Sequence, residues 1–504
     1  MNKTINIILC IDKEGGISKD GVIPWIIKED RNYYIDNMNF RINNKPNLLV
    51  MGRNTFEKAG LSNKNETHII TQLNSDKFTE KYNITNNNYS LSTSIENTIS
   101  YINTNYNLYS KIYICGGKQT YDDIITKYVN NAHIIKLYLT KINKDYNCDN
   151  KVSNKYIEIS NELDEMKKYI EYSCIDEANG DRVLVKFYKP VKLYMLNRIE
   201  YMFDENNLEE RQYLNLLLKL LNSSNKIGRN GPTYYSFGEK MEFNIEHKFP
   251  LLTSKKVFFD GIIKELIFFI KGQTDSKILE QQNVNIWKSN TNSDFLSKMK
   301  LNYREGDMGP MYGFQWRHYG AKYNGCDSYY TDCGFDQLSQ VINLLKTDPS
   351  SRRILLTTYN PEQASQGVLY PCHGISIIFN TELDIDNIYK LNIMQVQRSC
   401  DMFLGVPFNI ASYSLLIYIL VNYINNDIEC KFKYKPGKLV FILGDYHLYD
   451  VHIEHVKRQL LRESCEFPIL QIKQKITNLD NITPEYFELI NYNSFGPIQA
   501  PMVA

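Results

Sequence analysis

The chain has 504 residues, 43% apolar and 23% charged, with 58 Lys and Arg against 57 Asp and Glu for a formal net charge of +1. One hydrophobic core stops growing near about 250 to 300 residues, so this length calls for two or three domains. A balanced charge offers no single-sign field for nucleic acid or an anionic membrane, and neither is expected as a partner. The ten cysteines contain no Cys-x-x-Cys pair, which argues against a zinc ribbon. The length argues against a small disulfide scaffold, so reduced thiols in an intracellular, soluble, cytoplasmic protein are expected.

The apolar run 5–11 stops at Asp12, Lys13 and Glu14 with no small-residue cleavage site and reads as a strand, not a signal peptide. Further β-branched or aromatic strands are expected at 48–51, 68–71, 111–115, 134–140 and 183–188, separated by helical or polar segments. That alternation predicts an α/β domain over 1–189 with a mostly parallel sheet. Residues 190–208 show no clear period and read as a junction. Helical spacing resumes at 209–221 and recurs at 258–271, 335–347 and 410–424, with strands at 353–358, 374–379, 390–397 and 438–443. Residues 209–504 are therefore expected to form an α+β domain. Its most apolar run, 415–421, is shorter than the roughly 20 residues of a membrane span and reads as a buried core helix.

In the second domain, Tyr370-Pro371-Cys372-His373-Gly374 places a thiol between a loop and a strand. Alone it is a weak signal, because most cysteines are small buried hydrophobes. Ser351-Arg352-Arg353 and Gln397-Arg398-Ser399 change the reading: guanidinium forks suit a phosphate monoester, and a neighbouring cation favours the thiolate that attacks carbon. The stretch from Cys372 to Asn409 resembles thymidylate synthase, as do Phe249 to Lys256, Gly309 to Arg317 and Gly444 to Tyr449.

The resemblance implies that Cys372 adds to C6 of dUMP, with 5,10-methylenetetrahydrofolate as the one-carbon cosubstrate. It also implies that Glu265 organises water and proton transfers and that Tyr312 assists loss of the C5 proton. Arg229, Arg398 and Ser399 would hold the nucleotide phosphate, joined by Arg352 and Arg353 from the second subunit of a homodimer formed through the sheet. His447 and Tyr449 would bind the 3'-hydroxyl, Asp401 the pterin, and Trp287 would pack on the folate. Asn409 can both donate to and accept from the uracil edge; a carboxylate there would suit cytosine. His447, His452 and His455 have no matching Cys or carboxylate cluster, and no metal is expected.

The first domain opens with a glycine loop, Gly15 to Gly21, then Pro24-Trp25, then Asp30 about a turn further on; the loop reads as a flexible lid. With Met51-Gly52-Arg53-Asn54-Thr55, Cys115-Gly116-Gly117, Tyr121 and Tyr138-Leu139-Thr140 in that order, it resembles dihydrofolate reductase. The resemblance implies that Asp30 promotes pterin protonation with Thr140 beside it, and that Ile8, Tyr34 and Tyr121 line the pocket. Ile17, Arg53, Thr55, Gly116, Gly117 and Tyr121 would bind NADPH. Ser18 replaces the usual lid glycine, and Asn65 the arginine that grips the folate glutamate, leaving Lys64 as substitute cation.

Together the two halves resemble the bifunctional dihydrofolate reductase-thymidylate synthase family, implying an enzyme that makes dTMP and reduces the dihydrofolate released. An alternative keeps the synthase and makes the first domain a non-catalytic folate-binding or dimer-stabilising module. Another lets the phosphate site also bind RNA, which a salt-dependent binding assay would test.

Overall fold

The computed structural model describes residues 3–84, 88–128, 133–193, 202–203, 207–228 and 231–503. Its contacts divide the chain into two units. The first comprises Met1–Asn206 together with Lys457–Glu463 and Asn493–Gly496, and the second comprises the rest.

The first unit is built on a ten-stranded sheet whose path runs β12-β11-β7-β1-β6-β3-β4-β5. These are β1 (Lys3–Ile11), β3 (Leu48–Gly52), β4 (Glu66–Ile70), β5 (Tyr89–Ser92), β6 (Ile112–Ile114), β7 (His133–Ile142), β11 (Val191–Leu193) and β12 (Met202–Phe203). Strands β9 (Tyr169–Ile175) and β10 (Arg182–Tyr188) attach beside β7, and the short β2 (Gly16–Ser18) pairs with β8 (Asn150–Lys151) apart from the sheet. From β7 through β1, β6, β3 and β4 to β5 every pairing is parallel, while β10 and β11 join β7 antiparallel.

A parallel sheet covered on both faces needs near-continuous apolar strands. Accordingly Ile5, Ile7, Leu9 and Ile11 enter one core while Ile8 enters the other. Helices α1 (Lys28–Asn39), α2 (Arg53–Ala59), α3 (Ser75–Tyr82), α4 (Ile95–Asn105), α5 (Lys118–Lys127) and α6 (Asn154–Glu165) connect the strands. Val191–Leu193, placed by sequence in an aperiodic junction, is a sheet strand: Val191 and Leu193 are buried and the segment pairs with 135–137 of β7. Three residues are too few for periodicity to register.

The second unit carries a six-stranded sheet ordered β13-β14-β18-β17-β16-β15. Its strands are β13 (Asn225–Gly228), β14 (Gly231–Asn244), β15 (Leu355–Leu356), β16 (Ser376–Leu383), β17 (Tyr389–Asp401) and β18 (Tyr434–Tyr449). Only β17 and β18 run parallel; the other pairings are antiparallel. The helix Gly405–Asn425 packs on β17 and β18. It is apolar and long enough to cross a membrane, but 72% of its most hydrophobic window is buried within the protein, as a core helix should be. The Thr253-Ser254 block has a structural reason: buried Glu210, on the helix Leu208–Leu221, accepts from both backbone N–H groups and both hydroxyls. All ten cysteines are thiols, none joined in a disulfide.

Candidate active sites

In the second unit Cys372 lies half-buried in the loop before β16, its thiol 3.2 Å from the Tyr370 carbonyl oxygen. The loop is stitched to β17: the Arg398 backbone N–H donates to the Cys372 carbonyl at 2.8 Å, and the Arg398 side chain donates Nε–H to the Pro371 carbonyl at 3.1 Å. The guanidinium also sits 5.0 Å from the Tyr370 ring centroid. An exposed Arg398 cation thus flanks the thiol.

Behind Cys372 stands Tyr312, whose phenol hydrogen-bonds the Cys372 backbone. It adopts φ 38° and ψ −97°, a region bulky residues rarely enter, and such outliers concentrate at functional sites. Gly313 is required next, since a Cβ there would lie 2.4 Å from the Phe269 carbonyl oxygen. Burial pushes the Tyr312 phenol well up, so it stays protonated as a donor. Its ring stacks on His373 with centroids 4.3 Å apart. His373, whose pKa burial lowers to about 3, is a neutral imidazole hydrogen-bonded through Nδ1 to the Tyr413 hydroxyl at 2.8 Å.

Glu265 projects from the helix Phe259–Ile270, and burial raises its pKa to about 7, with the Trp287 hydrogen bond opposing. Trp287 Nε1–H donates to its Oε1 at 2.8 Å, so this tryptophan orients an acid in addition to offering a ring. A carboxyl poised near neutrality can both give and take a proton.

Asn409 donates through Nδ2 to the Gln397 side-chain oxygen at 3.0 Å, while Gln397 donates to the Ser399 carbonyl at 3.1 Å. The amide is thereby held in one orientation, a role for Gln397 that no short motif signals. His447 Nδ1 lies 3.1 Å from Asp445 Oδ1 and its ring 5.2 Å from that of Tyr449, both on β18. Asp401 uses Oδ1 to accept from the Phe403 and Leu404 backbone N–H groups. Arg352 and Arg353 lie exposed in the turn before β15. Arg229 lies outside the described residues.

In the first unit Asp30 sits in the first turn of α1, hydrogen-bonded to Thr140 on β7 and to the Cys10 thiol on β1. Burial raises its pKa to about 6 against those two lowering contacts. Tyr121 donates its hydroxyl to the Ile8 carbonyl at 2.9 Å, and Tyr34 hydrogen-bonds Cys115. Cys10 and Cys115 thereby join Asp30 and Tyr34 in the hydrogen bonding of this region.

The glycine loop is pinned more firmly than its composition suggests. Fully buried Asp12 accepts from the backbone N–H of Glu14, Gly16 and Tyr146. The loop's β2, carrying Ile17 and Ser18, pairs with β8, where Asn150 Nδ2 donates to the Ser18 hydroxyl at 3.1 Å. Arg53 opens α2 and lies 3.7 Å from Glu57. Thr55 packs so close to the diglycine that a Cβ at Gly116 or Gly117 would fall 3.0 or 3.2 Å from it.

Lys64 is exposed, whereas Asn65 is buried, donating to the Met38 carbonyl at 3.1 Å. Arg41 donates to the Asn65 side-chain oxygen at 3.2 Å and to the Lys64 carbonyl. The structure thus puts a guanidinium from a distant part of the sequence beside the position where the sequence offered only asparagine and lysine.

A dihydrofolate reductase family model matches residues 4–175 and a thymidylate synthase model residues 211–504. Two folate-linked enzymes of thymidylate synthesis are therefore joined in one polypeptide. At 34% identity the chain is similar, over 99% of each length, to the bifunctional dihydrofolate reductase-thymidylate synthase of Paramecium tetraurelia. It is 32% identical to the second such protein of Arabidopsis thaliana, covering 99% of this chain and 88% of that one. To the thymidylate synthase of Saccharomyces cerevisiae it is 42% identical, covering 59% of this chain and 98% of that one. The chain belongs to the bifunctional dihydrofolate reductase-thymidylate synthase family, and it carries both activities.

Proposed function

We propose that the two sites run a cycle: reductive methylation of dUMP at Cys372, and NADPH-dependent reduction of the resulting dihydrofolate at Asp30. The observation carrying the reading is that each half sets one carboxyl against fixed partners, Glu265 on Trp287 Nε1–H at 2.8 Å and Asp30 beside Thr140 and Cys10, where desolvation raises its pKa towards neutrality. A non-catalytic first domain would have no use for such an acid.

In the synthase, Cys372 adds to C6 of the uracil, and C5 becomes the nucleophile that takes the one-carbon unit of 5,10-methylenetetrahydrofolate. Glu265, steadied by Trp287, relays protons through water, and the Tyr312 phenol assists departure of the C5 proton. Arg398 and Ser399, with Arg229, hold the phosphate; His447 and Tyr449 hold the 3'-hydroxyl; Asp401 and Trp287 meet the folate. Arg352 and Arg353 complete the phosphate site of a second copy in a homodimer. That dimer is supported by Leu355 and Ile378, exposed apolar partners across β15 and β16 on the face opposite buried Ile377 and Phe379.

With its NH2 held by Gln397, Asn409 offers its carbonyl to the uracil N3–H and its second hydrogen to O4. Asn409→Asp is expected to raise the ratio of kcat/KM for dCMP over dUMP at least about 100-fold, since a mismatched edge leaves buried groups unpaired. Steady-state kinetics with both nucleotides checks this, and an unchanged ratio would remove Asn409 from base selection.

The residues of the first unit fit a nicotinamide dinucleotide. The N-terminus of α5 follows Gly117 with no side-chain cap, leaving its N–H groups open to phosphate, and Gly116 and Gly117 leave room that a Cβ would fill. A cavity of about 500 Å³ lined by Thr71, Asn74, Ser75, Ser90 and Thr93 lies where β4 and β5 end, the side on which open α/β sheets bind ligands. Ile17, Arg53, Thr55, Gly116, Gly117 and Tyr121 would hold NADPH, which supplies a hydride when bound. Asp30 binds the amino-pyrimidine face and promotes protonation, Thr140 orients it, and Ile8 and Tyr34 wall the pterin from water.

The folate glutamate then falls to Lys64 or Arg41. Arg41→Ala is expected to raise KM for dihydrofolate about tenfold, the scale of one charge-assisted hydrogen bond. Should Lys64→Ala do so instead, the lysine is the contact. Supplying dUMP and methylenetetrahydrofolate with and without NADPH tests the whole cycle: dTMP should form in both, and tetrahydrofolate should accumulate only with NADPH.

A further inference from the structure

The first unit is completed by two short segments from the last fifty residues of the chain, Lys457–Glu463 and Asn493–Gly496, and these grip the helix that carries Asp30. Helix α1 has little to fix it by itself. Its N-cap Ile27 makes no side-chain cap, its last turn carries no basic residue, and Asn, Tyr and Ile are middling helix formers.

Besides burying Tyr33 and Met38 in the core, α1 is gripped at its other end. Asp36 lies six residues beyond Asp30, about 9 Å along the axis. Arg458 donates Nε–H and Nη2–H to the two Asp36 oxygens at 2.9 and 2.8 Å, and Arg462 makes the same pair at 3.2 and 3.1 Å. Two parallel forks on one carboxylate fix both its position and its plane. Burial alone would raise the Asp36 pKa, but the hydrogen bonds from the arginines hold it below the usual carboxylate range. Arg462 in turn donates Nη1–H to the Gly496 carbonyl at 2.7 Å. Phe495 stacks on Phe40, the residue that ends α1, with ring centroids 4.3 Å apart.

We propose that Asp36, clamped by Arg458 and Arg462, is a positioning residue for the reductase: it fixes the axial position of α1 and so the distance of Asp30 from Thr140 and Cys10. The proposal rests on the reductase reading above. Asp36 meets no substrate; it acts through the helix. With the clamp loosened, α1 shifts or frays, water reaches Asp30, and its pKa falls back towards that of a solvated carboxylate.

Asp36→Asn would remove the carboxylate that both arginines share, so the primary variant is Arg458→Gln in the full-length protein. Arg458 is partly exposed, and its loss keeps the Asp36–Arg462 pair. The expected result is a roughly fivefold to tenfold lower reductase kcat/KM, with the descending limb of its pH profile moved to lower pH. The α1 amides should exchange hydrogen faster, and Arg458→Lys, a point cation without the fork, should restore only part of the loss. Unchanged kcat/KM, pH midpoint and α1 exchange in Arg458→Gln would overturn the proposal. So would a variant that loses only thermal stability. Absence of NADPH oxidation by the wild-type protein would instead refute the reductase reading, so the two failures are distinguishable.

Discussion

Cys372→Ser is expected to lower dTMP formation at least about a thousandfold, with the reductase rate of the same preparation as an internal control. Serine matches the thiol closely in size, so the loop stitched by the Arg398 backbone N–H to the Cys372 carbonyl should persist. What is lost is the anion. A thiol reaches its nucleophilic form near neutral pH, whereas a hydroxyl needs an adjacent strong base. Neither described neighbour can serve: His373, the next residue, is a neutral imidazole with Nδ1 occupied by Tyr413, and the Tyr312 phenol is held protonated by burial. Removing a covalent nucleophile typically costs more than any single binding contact. Release of the C5 proton from dUMP is the sharper measurement, because it requires the adduct but not complete transfer of the one-carbon unit. Retention of more than about 1% of that exchange in Cys372→Ser would rule out the thiol as the attacking group.

Much of this was legible before any coordinates, for a physical reason. The central parallel strands of the first sheet are buried on both faces and show as apolar runs, while the antiparallel strand β10 alternates buried and exposed over most of its length; the predicted 134–140 and 183–188 fall inside His133–Ile142 and Arg182–Tyr188. The synthase site is legible because its groups crowd into short blocks, with Cys372 and Asn409 on neighbouring elements of one sheet-and-helix layer. Side chains that work only through distant partners were not. Gln397 enters the sequence only as the neighbour of Arg398, with nothing to show that it holds Asn409, and Asp12 only as the end of an apolar run, although it pins the glycine loop. Arg41 became a candidate only when the chain brought it to Asn65. Asp36 and Arg458 are 422 residues apart, beyond the reach of any periodicity or motif.

Glu463→Gln is expected to destabilise the first unit by about 3 to 5 kcal/mol, the usual cost of breaking a buried ion pair from one side. Glu463 accepts from Lys111 at 2.8 Å and from the Tyr138 hydroxyl at 2.9 Å through Oε2, and its Oε1 pairs with Lys136. Burial by itself would raise the Glu463 pKa; the two lysines outweigh it and hold the carboxyl far below the usual range. Lys136 is only 4% exposed, and in the glutamine variant it and Lys111 lose the carboxylate they share. With total stabilities of about 5 to 15 kcal/mol, that is a large fraction. For a unit of this size it corresponds to reductase activity being lost on heating roughly 10 °C earlier.

The pH dependence has a defined sign. Because the folded pKa of Glu463 is depressed, its contribution is complete above the unfolded carboxylate value near about 4.3 and disappears as pH falls through the folded value. The gap between wild type and Glu463→Gln should therefore be constant above about pH 5 and shrink in acid. Replacing both partners, Glu463→Met with Lys136→Met, should recover most of the loss, since a buried pair exchanged for apolar side chains of similar volume is often neutral. A single variant within about 1 kcal/mol of wild type, or a double variant no better than the single, would mean that Glu463 is not the countercharge on which Lys136 depends.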